Sequence, residues 1–287
     1  MARALTPAPA RSIDPLDYQS LPRPVAAMAK EFADGHHIAP HSHQRAQLIF
    51  AARGVMTIAT GHGAWVVPPQ RALWMPAGMV HEIRMAGAVS MRTLYVDPRA
   101  RGGRLPATIR VIAVSALLRE LVLRACALPV LYDETASGGH VMALILEEIA
   151  ALPSLALDLP MPRDARLQAM CRHLQADPGD ARTLDDWARE AGASARTLAR
   201  LFQRETTLSF ADWRQQARLL AAMARLAEGQ AITRIALDLG YESPSAFAAM
   251  FKRALGTPPS RYFRRSHDEA SLPDAFTLCP QGAGAGA

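Results

Sequence analysis

Arg196, Arg200 and Arg204 recur at four-residue steps, a spacing that stacks three guanidinium groups along one face of a helix. Ser194 stands where an N-cap would open that helix, and Leu198, Leu201 and Phe202 fall on its inward face. A shorter helix precedes it, from a Thr183-Leu-Asp-Asp186 capping box through Leu184, Trp187, Ala188 and Ala191 to Gly192. Helix, short turn with Gly, helix is the DNA-reading module. The other promising chemistry is imidazole. His41-Ser-His43 lies in strand-like text, where alternation turns both rings to the same side. No serine nucleophile elbow, phosphate loop or paired-carboxylate site competes with these two groups. Cys126, Cys171 and Cys279 are odd in number and widely spaced, and read as reduced thiols.

The elements around the arginines are duplicated. Ile235 and Ala236 begin a second short helix ending at Gly240, and Ser243-Pro244 opens another, with Ser at the cap and Pro at the first helical position. Ala188 and Gly192 correspond to Ala236 and Gly240, and Leu198 and Phe202 to Phe247 and Phe251, with one residue added in the turn. Between the units, Ser209-Phe-Ala-Asp212 starts a long helix through Trp213, Leu220, Ala224 and Leu226 to Gly229. Two reading helices facing the same way would enter successive major grooves about 34 Å apart.

The stretches ARTLDDWAREAGASARTLARLFQRETTLSFADWRQQARL and ITRIALDLGYESPSAFAAMFKRALGTPPSRYFRR together resemble the DNA-binding domain of AraC/XylS transcription regulators over about 85 residues. The second carries that family's signature: I-A, G-Y-x-S, F-x-x-x-F-K, G-x-x-P and a closing Tyr-Phe-Arg. The resemblance implies that Arg196 and Arg200 meet base edges, where an arginine fork suits guanine O6 and N7, with Thr197 and Arg204 nearer phosphates. The second reading helix offers Ser245, Ala246, Ala248 and Ala249, less polar than in many relatives. With Ser243, Lys252 and its free amides it is expected to hold phosphate and orient the protein more than choose sequence.

The N-terminal half reads as short β-branched or aromatic runs cut by Gly and Pro from about residue 35 to 97, the pattern of a small antiparallel barrel or sandwich. Gly35-HHIAP-His41-Ser-His43-QRA-Gln47-LIFAAR-Gly54 resembles the first cupin motif with Gln47 in place of Glu. Pro76-Ala-Gly78-Met-Val-His81 resembles the second, with Met85 replacing its closing Asn. That resemblance implies a jelly-roll barrel in which His41, His43, Gln47 and His81 converge. Such a set holds either a divalent transition metal or a hydrogen-bonded effector. Phe50, Trp65, Trp74 and Tyr95 are candidates for an effector pocket, or are plain core.

The expected organisation has two folded domains: an all-β cupin barrel with a helical pair, then an all-α domain of two helix-turn-helix units. Residues 1–24 are expected to be disordered, 25–105 to form the barrel and 106–152 the helical pair. The first helix of that pair would include Ile109, Ile112, Ala113, Ala116, Leu117 and Leu121, and the second would run from about Gly139 to Leu152. The pair covers the barrel or supplies a dimer seam. Residues 153–163, with three prolines, read as a linker. Residues 164–266 form the DNA-binding domain, and 267–287 a disordered tail. The net charge is +6, and the basic excess is densest over 164–266, with 16 basic against 11 acidic residues. The chain lacks a secretory signal or a bilayer-length apolar run, so a soluble, cytoplasmic protein is expected. The partners implied are double-stranded operator DNA, a small-molecule or metal effector and a second copy of the chain. The rival reading is a metal-dependent cupin enzyme, a dioxygenase or isomerase with a helical appendage, which leaves the duplicated module unused.

Overall fold

The computed structural model describes residues 12–69, 71–100, 105–152, 154–155 and 158–262. The expected tail over 267–287 and the first eleven residues of the expected disordered N-terminus lie outside them. Nine strands form one sheet among the described residues: β1 (Val25–Phe32), β2 (His37–His41), β3 (Ala46–Thr60), β4 (Gly63–Val67), β5 (Arg71–Met75), β6 (His81–Val96), β7 (Arg110–Ala113), β8 (Ser154–Leu155) and β9 (Asp158–Pro160).

Two long strands organise this sheet. β3 and β6 pair antiparallel from Ala46↔Val96 to Thr60↔His81, and each changes its other neighbour halfway. β3 pairs with β5 at residues 47–50 and with β4 at 56–60. β6 pairs with β2 near its start and with β1 over residues 89–96. The exchange occurs where the register slips, between Ala51 and Val55. Gly54 sits there at φ +76°, and a Cβ on it would lie 2.6 Å from the Ala88 carbonyl oxygen, so only glycine lets the strands pass this closely.

One face of the sheet, with Leu48, Phe50, Trp74 and Leu94, is covered by α1 (Ala116–Ala127) and α2 (Ser137–Ala151) through Leu118, Val122, Ile145 and Ile149. Burying each such leucine, isoleucine or valine contributes about 1.5–3 kcal/mol. The other face carries Ile49, Ile58, Trp65, Ile83 and Tyr95.

The C-terminal part is helical: α3 (Ala165–Ala176), α4 (Leu184–Glu190), α5 (Ala195–Thr206), α6 (Phe210–Ala227), α7 (Ile232–Asp238), α8 (Pro244–Leu255) and α9 (Pro259–Tyr262). The expected caps form: Thr183 and Asp186 make a reciprocal capping box, and the Ser194, Ser209 and Ser243 hydroxyls accept from backbone amides at 3.1 Å each. α6 links the two halves. Trp213 Nε1 donates to the Pro160 carbonyl at 2.8 Å. At the other end, Gly87 of β6 approaches so closely that a Cβ would lie 2.7 Å from the Ala227 carbonyl oxygen. The helical core and the inner β core therefore run together as one cluster of buried residues.

Three boundaries differ from expectation. Within the supposed disordered N-terminus, Pro15–Tyr18 form a 3-10 turn that Asp14 caps through Leu16 N at 2.9 Å. Tyr18 is buried there and its ring stacks on Tyr95 at 5.8 Å. The linker is not bare, because β8 pairs with β7 and β9 with β4, giving β4 a partner on its outer edge. The Ile109–Ala113 stretch is not helical; Arg110–Ala113 is strand β7, and α1 starts only after the Ser115 cap.

Candidate nucleic-acid interface and sensor site

The two helix-turn-helix units, α4–α5 and α7–α8, share one turn geometry. Gly192 and Gly240 both adopt left-handed backbone, at φ +61° and +72°. Ala193 N donates to Ala188 O and Tyr241 N to Ala236 O, each at 2.9 Å. Leu198 and Phe202 in the first unit, Phe247 and Phe251 in the second, are buried beneath the crossing. The two scaffolds are therefore equivalent, and what each presents outward is set by the remaining residues of α5 and α8.

α5 presents long cations. Arg196 and Arg200 are exposed, and neither hydrogen-bonds nor ion-pairs within the described residues. Arg204 is also exposed, and is held towards Glu205 at 3.4 Å. Glu205 is occupied on its other side, accepting from the backbone amides of Arg163 and Asp164 at 2.7 and 2.9 Å. The Thr197 hydroxyl lies 2.8 Å from Ser194 Oγ and belongs to the helix start. The first unit is braced from behind by Arg182, whose guanidinium stacks over the Trp187 ring at 3.6 Å and pairs with Asp180 at 2.8 Å. Hydrogen bonds from Arg182 and His173 hold the Asp180 carboxyl down at about 2.

α8 presents small groups. Ser245, Ala246 and Ala249 are exposed, with Lys252 one turn further on. Ser243 Oγ accepts from Ala246 N, so its own hydroxyl proton is left to donate outward. Arg253 is a further exposed cation on α8 that the sequence reading missed. Its cue was available, since it adjoins Lys252 in the last turn.

In the β-domain, the chain brings the three expected imidazoles to one spot. His41 ends β2 directly opposite His81, which starts β6, and the loop leading to β3 folds His43 beside both. Ring centroids are 4.3 Å apart for His41–His81, 4.9 Å for His41–His43 and 5.5 Å for His43–His81. His43 and His81 are buried, whereas His41 is at the rim. Burial, then the neighbouring His41 and His81, pushes the His43 imidazole down to about 4; burial also lowers His81. Both rings are thus neutral near pH 7.

Gln47, the fourth residue of the expected set, stands on β3. It lies opposite Tyr95 across β3 and β6, and the Tyr95 ring packs edge-on to His43 at 5.1 Å. Gln47 Nε2 donates to Thr93 Oγ1 at 2.9 Å, while its buried Oε1 has no partner. A second histidine–carboxylate group, His173 with Asp177 and Asp180, is already engaged, because His173 Nε2 contacts Asp180 and Arg182 at 2.8 and 2.7 Å.

The four aromatics read as effector-pocket candidates or as plain core divide between two core clusters. Trp65 and Tyr95 belong to the inner core, but Phe50 and Trp74 lie in the core beneath α1 and α2. Strand alternation decides this: Phe50 shares the face of Leu48, whereas Gln47 and Ile49 point the other way. Trp74 is fixed by its Nε1, which donates to Pro106 O at 2.8 Å.

A helix-turn-helix domain family matches residues 187–265, and an AraC-like ligand-binding domain family matches residues 27–149. The chain is 33% identical to the HTH-type transcriptional regulator NimR of Escherichia coli strain K12 over 78% of its own length and 82% of that protein. It is 36% identical to the transcriptional regulator RipA of Corynebacterium glutamicum, over 36% of this chain and 31% of that one. Among solved structures, ToxT of Vibrio cholerae matches at 12% identity and a TM-score of 0.35, over 83% of this chain and 94% of that one. No helix among the described residues is long and apolar enough to cross a membrane. The match to NimR across both halves, with the two domain families in the same order, places this chain in the AraC family of transcription regulators: an N-terminal ligand-binding domain followed by a DNA-binding helix-turn-helix domain.

Proposed function

We propose that this regulator chooses its operator through Arg196 and Arg200 of α5, and that α8 serves chiefly to anchor and orient it on the phosphate backbone. The observation that carries this reading is the contrast on one shared scaffold between two exposed, unpaired guanidinium groups and a face of serine and alanine. A free guanidinium gives up no internal ion pair to reach guanine O6 and N7. The Ser243 and Ser245 hydroxyls and Lys252 suit phosphates, as do Thr197 and Arg204 of α5.

The protein works in the cytoplasm on double-stranded DNA, its β-domain receives an effector, and it is not an enzyme. An effector acts only by binding two arrangements of the protein unequally. The close docking of α6 on the β-domain, through Trp213 and Gly87, gives such arrangements a physical link. Exposed Leu117 on α1 and Leu144 on α2 support pairing of two copies through this face, which sedimentation in solution would register as a dimer that Leu117→Glu dissociates. The regulator reading is tested by gel shift with the DNA upstream of the protein's own coding sequence. Retarded, sequence-selective complexes are expected; turnover of a small molecule with no DNA affinity would favour a cupin enzyme instead.

A further inference from the structure

We propose that the loop joining α3 to α4, residues 177–183, is the joint that sets the distance and angle between the two helix-turn-helix units, with Gly179 and Arg218 as its positioning residues. The joint itself stands on contacts within the helical domain. Its meaning for DNA rests on the reading above, in which α5 and α8 meet the same duplex.

The connection through α6 leaves that angle open at one corner. α6 ends before Gly229, whose left-handed backbone at φ +79° has open space around it, and α7 then starts after Ala231 without a side-chain cap. The ion pair across the corner, Arg225 to Asp238 at 3.7 Å, is partly exposed and contributes little. Burial of Ile235 and Ala236 holds α7 against the core, but hydrophobic burial is non-directional. A further support therefore decides where the second unit sits.

The loop supplies it. A Cβ on Gly179 would collide with the Asp238 carbonyl oxygen at the end of α7, and one on Gly240 would lie 2.8 Å from the Gly179 carbonyl oxygen. Main chain rests on main chain here, with no rotamer to absorb a displacement. The same loop is tied to the first unit at its other end, where the Arg182 guanidinium stacks on Trp187 and donates to Glu190 of α4 at 2.9 Å. α6 clips both ends of it. Arg214 and Arg218, one turn apart on α6, donate to the Arg182 and Pro178 carbonyls at 2.9 Å each. Arg218 also lies over the Tyr241 ring at 5.5 Å, one residue past the turn glycine of the second unit. One side chain thus holds the loop and the second turn together, and a chain of direct contacts runs from Trp187 to Tyr241.

The test first reads the distance between the units without DNA. Spin labels on Ala199→Cys of α5 and Ala254→Cys of α8, both exposed positions, give that distance by pulsed electron paramagnetic resonance in full-length protein whose three native cysteines are replaced by alanine. Gly179→Ala is expected to shift the mean by about 1 Å or more, the opening that returns the collision to van der Waals contact. Arg218→Met is expected to broaden the distribution, which keeps the joint testable if the glycine variant folds poorly, and Arg218→Lys, which retains a donor for Pro178, to narrow it again. Gly192→Ala, whose Cβ would meet nothing, should leave the distance alone. The proposal is overturned if Gly179→Ala and Arg218→Met both keep the wild-type distribution, or if Gly192→Ala alters it as much as they do.

The second arm is binding to operator duplexes with one base pair added or removed between the two contacted segments. Arg218→Met is expected to reduce the preference for the natural spacing by about threefold or more, whereas an equal loss of affinity at every spacing would mark a merely structural residue and overturn the positioning role. A shifted distance in a protein without DNA affinity sinks the regulator reading alone, and DNA affinity with unchanged distances sinks the joint alone.

Discussion

The first and second helix-turn-helix units are built on one plan and present different outer faces. Each has an Ala and a left-handed Gly at the turn, a Ser cap 3.1 Å from the backbone amide it serves, and a buried Phe closing the core. Yet α5 faces outward with Arg196 and Arg200, and α8 with Ser245, Ala246 and Ala249. Duplication of the scaffold thus constrains folding equally in both units, while the side chains each unit turns outward are free to differ. Their supports differ as well: Arg182 stacked on Trp187 braces the first unit, whereas the second rests on a tight backbone contact, Gly240 against Gly179.

If the scaffolds are equivalent, the closing aromatics should matter alike. Phe202→Ala and Phe251→Ala should each destabilise the helical domain by about 3–5 kcal/mol in denaturant titrations. A cost confined to one of them would break the equivalence. The glycines sharpen the contrast in support. Gly192 has open space where a side chain would begin, but a Cβ on Gly240 would meet the Gly179 carbonyl oxygen at 2.8 Å. Gly192→Ala should therefore cost only the left-handed conformation, about 1–2 kcal/mol, and Gly240→Ala a further 1–3 kcal/mol or so for overpacking. Equal thermal shifts would contradict the assigned role of the Gly179 contact. The smallest effect concerns the helix ends. α5 closes on Thr207 at φ +62°, where α8 has Gly256 at φ +75°. Thr207→Gly should relieve that strain and raise stability by about 0.5–1 kcal/mol, measured as a higher melting temperature.

Much of this is legible in the chain because the deciding signals are local. Caps at Thr183, Ser194, Ser209 and Ser243, turn glycines and the spacing of buried aromatics all act within a few residues, and the helical domain follows from them. The His41–His43–His81 cluster is legible through its resemblance to cupin motifs. What escapes depends on pairing across the chain. β9 is read as a proline-rich linker until the open edge of β4 is known, and Ile109–Ala113 has apolar spacing that fits a helix or a strand equally. Phe50 and Trp74 are aromatic like Trp65 and Tyr95, but only strand parity tells which face each one joins. Gln47 sits in the motif's acidic position, yet its side chain is tied to Thr93, a partner 46 residues away.

The central claim, that α5 reads and α8 anchors, is tested most directly by equilibrium binding titrations of Arg196→Ala, Arg200→Ala and Ser245→Ala against the operator and single-base variants of it. Each arginine variant should lose about 1–3 kcal/mol on the operator and relax discrimination at one base position, whereas Ser245→Ala should weaken all sequences alike and by less. Arginine variants that kept full base discrimination, with discrimination lost in Ser245→Ala instead, would contradict it.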